Sequence, residues 1–290
     1  GIPFEVCDFR PEFEEKVISE FISAYEHGIT PNPCVDCNRT LKFDELFRAG
    51  KELGQDYIAT GHYVIVEHGE DGRYKLRKAV DLSKDQSYVL YSLSQEQLSH
   101  TMFPLGSMHK SETRKIAEAH GLISAKRKES QDICFIPDGD YASFIERYTG
   151  KKIASGNFVD MDGNILGIHR GIIHYTVGQR KGLGLALKHP MYVQYIDVDN
   201  NEVVLGSNED LFKRELTAHN FNWVSIACPD APFRAKARIR YKHKEAPATI
   251  TPLSETEVKI VFDEPQRAIT KGQSVVVYDG DYVVGGGKIV

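Results

Sequence analysis

From about Gly150 onward the sequence repeats one pattern: a short β-branched run, a turn pair, then another short run. Asp162-Gly163 interrupts "NFVDMDGNILGI", Asn200-Asn201 interrupts "YIDVDNNEVVLG", and Asp279-Gly280 interrupts "VVVYDGDYVVGG". Such pairs accept the positive backbone angles that close tight hairpins, so this half of the chain is committed to antiparallel sheet. The first half follows a different pattern. "PEFEEKVISEFISAYEHG" spaces Phe13, Val17, Phe21 and Tyr25 four apart with Ile18 and Ile22 beside them, an apolar helix face running from Pro11 to Gly28. "LKFDELFRAGKELG" repeats this through Phe43, Leu46, Phe47 and Leu53 and stops at Gly54. "IPFEVCDF" and "DYIATGHY" read as strands, and "SQEQLSH" and "KSETRKIAEAHG" as helices, the first with capping-box spacing from Ser94 to Gln97. Strands alternating with helices predict a parallel sheet covered by helices, followed by one or two small β domains with a break near residue 213.

Length and composition narrow the class. At 290 residues with 41% apolar and 27% charged side chains, the chain has room for two or three domains and a sizeable core. No apolar run approaches the roughly 18 residues that cross a bilayer, and no charged-then-apolar leader is present, so a cytoplasmic location without membrane contact is expected. Cys7, Cys34, Cys37, Cys134 and Cys228 are too few and too scattered for a disulfide scaffold, and suit free thiols in a reducing compartment. A net charge of -5 means that any nucleic-acid contact must come from a local basic surface. The opening "GIPFEVCDF" lacks an initiator Met and reads like the middle of a larger unit, so an upstream segment is expected.

Four stretches could carry chemistry. In "TPNPCVDCN", Cys34 and Cys37 form a CxxC. Zinc needs about four ligands, and no second CxxC or HxxxH stands at a matching spacing, so no metal centre is expected. A thioredoxin-type pair follows a strand, whereas this one follows a Pro-Asn-Pro loop. Polar neighbours Asp36, Asn38, Arg39 and Lys42 argue against a core location, and cations with a following helix N-terminus are expected to lower the thiol pKa. A reactive thiol is favoured over zinc. In "KRKESQDICFI", Cys134 follows a charged stretch with Lys126, Arg127 and Lys128; by itself it reads as an ordinary strand cysteine. "FRAKARIRYKHK" sets Arg234, Lys236, Arg238, Arg240, Lys242 and Lys244 on alternate positions. A strand over 233–244 turns all six to one face and packs Phe233, Ala235, Ala237, Ile239 and Tyr241 on a core, leaving a cationic face for a polyanion. In "ATGHY", Gly61 permits close backbone approach and His62 could donate to an anion at a strand end where ligands bind in open α/β sheets; an ordinary strand-ending turn is an equal reading.

Taken in order, "TPNPCVDCN", "DYIATGHY", "KDQSYVLY", "ESQDICFI", "HYTVGQRKGLG" and "GQSVVVYDGDYVVGGG" resemble the bacterial tRNA-specific 2-thiouridylases across essentially the whole chain. The resemblance implies an α/β domain over 1–142 of the adenine nucleotide alpha hydrolase-like, ATP-pyrophosphatase kind, a central β-rich domain over 143–212, and a C-terminal β-barrel over 213–290. It implies a tRNA-uridine 2-sulfurtransferase: ATP with Mg2+ adenylates the carbonyl oxygen of the wobble uridine, and a persulfide sulfur supplied by a donor protein replaces it. By motif match Cys134 resembles the persulfide carrier, and Cys37 its partner, a nucleophile that closes a disulfide with Cys134. The same match implies tRNA contacts at Asn32, Pro33, Cys34, His62, Lys84, Asp85, Gln86, Arg240, Tyr241 and Gln273, and an ATP contact at Gly61. Cys7 and Cys228 match nothing functional and are expected to be structural. Two departures follow. The family's Ser-Gly-Gly-x-Asp-Ser phosphate loop lies upstream of the first residue, so the chain as it stands is expected not to adenylate. Cys34 occupies a position where some members carry an acid. The rival readings are a non-catalytic RNA-binding module and a zinc-stabilised structural protein.

Overall fold

The computed structural model describes residues 3–126 and 133–290. The first helix runs without a break through Arg10–Phe13, Glu14–Ser19 and Glu20–Glu26, its middle part wound wider than an ideal α-helix. Its expected face is buried: Val17, Phe21, Ile22 and Tyr25 lie inside. Gly28 ends it at a positive φ of 67°, where a Cβ would press on Ile196 and Val198.

The second helix also runs unbroken, through Pro33–Cys37, Asn38–Glu45 and Leu46–Glu52. It starts at Pro33 rather than near Leu41, so the CxxC occupies its first turns and not a preceding loop. Proline suits that first position, where its missing N–H has no partner to lose and its φ is already helical. The segment 3–9, expected as a strand, has no regular structure, since no described strand pairs with it. The expected parallel pairing is present as a short ladder between β1 (Ile58–Ala59) and β4 (Thr101–Met102). Between them lies a hairpin that the sequence reading did not identify, β2 (Val64–His68) and β3 (Tyr74–Lys78). The helices Gln95–Ser99, with its Ser94–Gln97 capping box, and Lys110–Ala119 follow expectation.

After the helix Tyr141–Thr149, the three expected hairpins all form. Strands β5 (Gly156–Val159), β6 (Ile165–His169), β7 (Tyr192–Asp197) and β8 (Glu202–Gly206) make a four-stranded sheet in the order β6-β5-β8-β7. Strands β9 (Phe212–Trp223), β10 (Phe233–Arg238), β11 (Ala246–Pro252), β12 (Val258–Arg267), β13 (Ser274–Asp279) and β14 (Tyr282–Ile289) run in the order β13-β10-β11-β12-β9-β14. Pairing of β13 with β14 closes them into a six-stranded barrel without free edges. The β2–β3 hairpin extends this sheet through Tyr282 opposite Arg77, so a segment from the first half is stitched to the barrel wall.

Three apolar cores result. One lies inside the barrel, around Leu216, Ala237, Ile250, Ile260 and Val277. A second joins Phe21, Ile22 and Tyr25 of the first helix to Phe158, Ile172 and Val193 of the central sheet. A third joins Val35 and Phe43 of the second helix to Val64 and Leu76 of the hairpin, to Tyr88 and Tyr91, and to Val276 and Tyr278 of the barrel. Tyr91 reaches this core because Gly286 has no side chain; a Cβ there would lie 2.6 Å from its ring. Among the described residues no helix is long and apolar enough to cross a membrane.

The basic stretch departs from expectation. Strand β10 stops at Arg238, and the chain turns over residues 239–242, with the His243 N–H donating to the Arg240 carbonyl at 3.0 Å. Six cations therefore do not share one face. Acids also offset two of the cations: Arg234 makes a two-bond pair with Asp263 of β12, and Arg238 lies 3.8 Å from Glu245. Both acids come from outside the stretch, where alternation within one strand gives no sight of them. Tyr241, expected in a core, is 41% exposed.

Phe43 is fully buried beneath the second helix. Phe43→Ala is expected to cost about 3–5 kcal/mol through lost burial and the cavity left behind, read as a lower urea midpoint.

Candidate active site

The two helices, two loops and the turn after β10 enclose a cavity of about 430 Å3. Phe13 and Val17 of the first helix form one wall, and Asn32, Pro33, Cys34, Cys37, Asn38 and Lys42 of the second form another. His62, Gln86, Val89 and Tyr241 come from the hairpin side and the barrel, and Ile133, Cys134 and Phe135 complete the lining. Three thiols, one hundred residues apart at the extremes, therefore face one space; none is in a disulfide.

Each cysteine is held by its neighbours. Val35 and Asp36, between Cys34 and Cys37, are buried. Asp36 faces Lys288 of β14 at 2.9 Å and Arg39 at 3.7 Å, which ties this turn to the barrel. Asn38 is buried next to Cys37, its amide donating to the Val89 carbonyl at 3.0 Å, while its Oδ1 has no partner among the described residues. On the opposite side Phe135 packs edge-on against Phe13 and Phe21, both at 5.5 Å, and Ile136 is buried. With the residues after it anchored, Cys134 is left exposed at the cavity. Its turn is no strand, contrary to the reading of that cysteine in isolation; Arg127 and Lys128 of the charged stretch before it lie outside the described residues.

The electrostatics correct a second expectation. Burial pushes the Cys37 thiol up; Lys42 opposes this, and the neighbouring Cys134 and Asp36 add to it. The cationic neighbours are real, but partial burial outweighs them. His62 is pushed down to about 4, chiefly by burial and further by Lys42, so its ring is neutral near pH 7. Its Nδ1 lies 2.9 Å from the Thr60 hydroxyl. Burial likewise raises the Tyr241 phenol, whose hydroxyl donates to the Asp85 carbonyl at 3.2 Å.

Other residues singled out in the sequence surround a second cleft of about 560 Å3. Gly61, Lys84, Asp85 and Gln86 line it with Lys110, Arg238, Tyr241 and Lys242. Gln86 and Tyr241 line both spaces. The Asp85 carboxylate points inward, accepting from the Ala79 and Ser87 N–H groups and the Ser87 hydroxyl. Gln273 lines neither space; its amide donates to the Thr30 and Pro31 carbonyls and so braces the loop entering the second helix. Arg240 is half-buried, its pKa lowered by desolvation and by Arg267. Cys7 is exposed in the segment without regular structure, which gives it no packing role, and Cys228 is half-buried against the Pro229 and Ser254 carbonyls. Val89, Ile133 and Phe135 are cavity residues given no role in the sequence reading, which placed Asn38 and Lys42 only as polar neighbours of the thiols. Asn38 and Lys42 follow Cys34 by four and eight positions, and that helical spacing is the signal for their shared face.

Because the folded His62 titrates below its ordinary 6.5, the stability that it contributes is complete above about pH 6.5 and drains as pH falls toward 4. Urea midpoints measured between pH 7 and pH 4 should decline less steeply in His62→Gln than in the parent; parallel curves would contradict the assignment.

Comparison with known proteins fits this architecture. Residues 1–138 match a family model described as a tRNA methyl transferase HUP domain. Residues 142–207 match a tRNA methyl transferase PRC-barrel domain, and residues 213–289 an aminomethyltransferase beta-barrel domain. The chain is 53% identical over 290 residues to the tRNA-specific 2-thiouridylase MnmA of Clostridioides difficile (strain 630), covering 100% of this chain and 80% of that protein. The same-named protein of Acetivibrio thermocellus is also 53% identical, covering 100% and 81%. That of Lachnoclostridium phytofermentans is 50% identical over 289 residues, covering 100% and 81%.

Proposed function

The chain belongs to the family of tRNA-specific 2-thiouridylases, and on that premise we propose that it places sulfur on C2 of the wobble uridine of tRNA, with Cys134 as persulfide carrier and Cys37 as the resolving nucleophile. The observation that carries the reading is the single cavity onto which Cys37 and Cys134 both open, with room for one base between the two helices. Chemistry at C2 requires that base to leave its stack. Apolar walls from Phe13, Val17 and Val89 suit its faces, and Asn32, Gln86 and the neutral His62 offer hydrogen bonds to its edge without adding charge.

ATP, as its magnesium complex, supplies the step that turns the C2 oxygen into a leaving group. Gly61 and the cations Lys84, Lys110, Arg238 and Lys242 suit a phosphate-bearing partner, since the acid among them, Asp85, has its carboxylate occupied inside the fold. The chain's own residues handle the sulfur. The terminal sulfur of a Cys134 persulfide bonds to C2, Cys37 attacks the Cys134 sulfur, the persulfide S–S bond breaks, the C2–O bond breaks with the activated oxygen leaving as AMP, and a Cys37–Cys134 disulfide remains. Lys42 favours the Cys37 thiolate needed for this attack, against the burial that disfavours it. Sulfur arrives from a donor protein, and Arg240, Tyr241 and Lys84 contact tRNA. A zinc-stabilised protein is the weaker reading: among the described residues no three His, Cys, Asp or Glu side chains gather as a metal set.

In the full-length enzyme, Cys37→Ser and Cys134→Ser are each expected to abolish 2-thiouridine, assayed by nucleoside chromatography, while tRNA binding persists. Wild-type turnover by either variant contradicts the mechanism. Arg240→Glu is expected to weaken tRNA binding and flatten its dependence on salt by roughly one counterion. Arg234→Ala, whose guanidinium is already held by Asp263, should change that slope far less.

A further inference from the structure

Cys34 is a third thiol on the cavity, and the reaction proposed above gives it no task. It is exposed, whereas Cys37 is partly buried. The two are three apart at the start of one helix, where side chains at i and i+3 lie side by side and Cβ atoms sit about 5–6 Å apart. A small adjustment of that first turn brings them to the separation a disulfide requires, about 3.5–4.5 Å between Cβ atoms. Cys37 thus stands between two possible partners, Cys134 across the cavity and Cys34 one turn back on its own helix.

We propose that Cys34 is the thiol that resets the site: it attacks Cys37 in the Cys37–Cys134 disulfide left by each turnover and moves that bond into the helix as Cys34–Cys37. The proposal rests on the persulfide reading of Cys37 and Cys134. The Cys34 thiolate forms a bond to the Cys37 sulfur, the Cys37–Cys134 bond breaks, and Cys134 leaves as a thiolate ready to receive another sulfur. No net oxidation occurs in this exchange. The two electrons that reduced the transferred sulfur are restored when an external dithiol reductant attacks the Cys34–Cys37 bond and is itself oxidised to a disulfide.

Three observations favour this order. Burial raises the Cys37 thiol, which makes Cys37 a poor departing group and keeps it as the sulfur that stays bonded. Cys34 sits in the first turn of a long helix, where unpaired backbone N–H groups favour an attacking thiolate. Exposure of Cys34 also gives the final disulfide a sulfur that a protein-sized reductant can reach.

The test compares the full-length parent enzyme with Cys34→Ser, supplied with ATP, unmodified tRNA, an inorganic persulfide source and limiting thioredoxin-type dithiol. Product is followed through the first and later turnovers, and disulfides are mapped by peptide mass spectrometry after acid quenching. In the parent, the Cys34–Cys37 linkage and a reduced Cys134 are expected after one turnover. In Cys34→Ser, whatever its first-turnover rate, the ratio of later to first turnover should fall at least about tenfold, with Cys37–Cys134 accumulating. A small phosphine reductant that enters the cavity should restore that ratio. An unchanged ratio, or a parent enzyme holding only Cys37–Cys134, overturns the proposal. A parent enzyme that completes turnovers without either disulfide, or a Cys134→Ser variant that makes product, overturns the persulfide reading beneath it instead, so the two failures are distinguishable.

Discussion

The geometry of the site depends on how the second helix is pinned to the barrel. Asp36 lies inside that helix, buried between the two cysteines of the CxxC, and its carboxylate meets Lys288 of the closing strand β14 at 2.9 Å. A carboxylate taken from water in this way needs its cation, and Lys288 meets it from the barrel surface, where its own side chain stays partly exposed. Gln273 adds two hydrogen bonds from the barrel to the loop that enters the helix, and Asn38 adds one from the helix to Val89. Cys34 and Cys37 thus owe their position to a domain some 180 residues or more further along the sequence. The barrel is part of the site as well as a candidate RNA platform.

The facing wall is built differently. Cys134 is placed by apolar packing: Phe135 and Ile136 are drawn into the core between the first helix and the central sheet, and the thiol beside them is left at the surface. One thiol pair is therefore held by the core of the hairpin and barrel, and its counterpart by the core of the central domain. The cavity exists where the two cores face each other. That arrangement suits a reaction in which one sulfur approaches an electrophilic carbon from one side and a second thiol takes over from the other.

Much of this fold is legible along the chain because it is locally encoded. The hairpin turns at Gly163, Asn201 and Gly280 all have the positive φ that their residue types suggest, and the apolar face of the first helix is the buried one; of the face expected for the second helix only Phe43 is buried, while Leu46 and Leu53 are exposed. The basic stretch and the Cys37 thiol depart from expectation for non-local reasons, the second helix and the hairpin for local ones. Alternation in "FRAKARIRYKHK" predicts one long cationic strand, but the acids that neutralise Arg234 and Arg238 come from elsewhere, and the chain turns after Arg238. The second helix starts at Pro33, inside a Pro-Asn-Pro stretch that reads as loop, although proline at a first helical position is favourable. The thiol of Cys37 was expected to be lowered by nearby cations, which a sequence reveals, but burial, which it does not reveal, decides the direction. The hairpin over 64–78 went unread, and with it the link between the first half of the chain and the barrel.

Proximity of Cys37 to Cys134 across one cavity is the claim on which the functional account stands, and it is open to direct chemical test. The full-length enzyme in a Cys34→Ser background, where no second partner competes for Cys37, is treated with a mild thiol oxidant in the absence of tRNA and digested under non-reducing conditions. The account predicts one dominant crosslinked peptide pair, joining the segment of Cys37 to that of Cys134. Oxidation that leaves these two unlinked, or that joins either of them preferentially to Cys7 or Cys228, contradicts it.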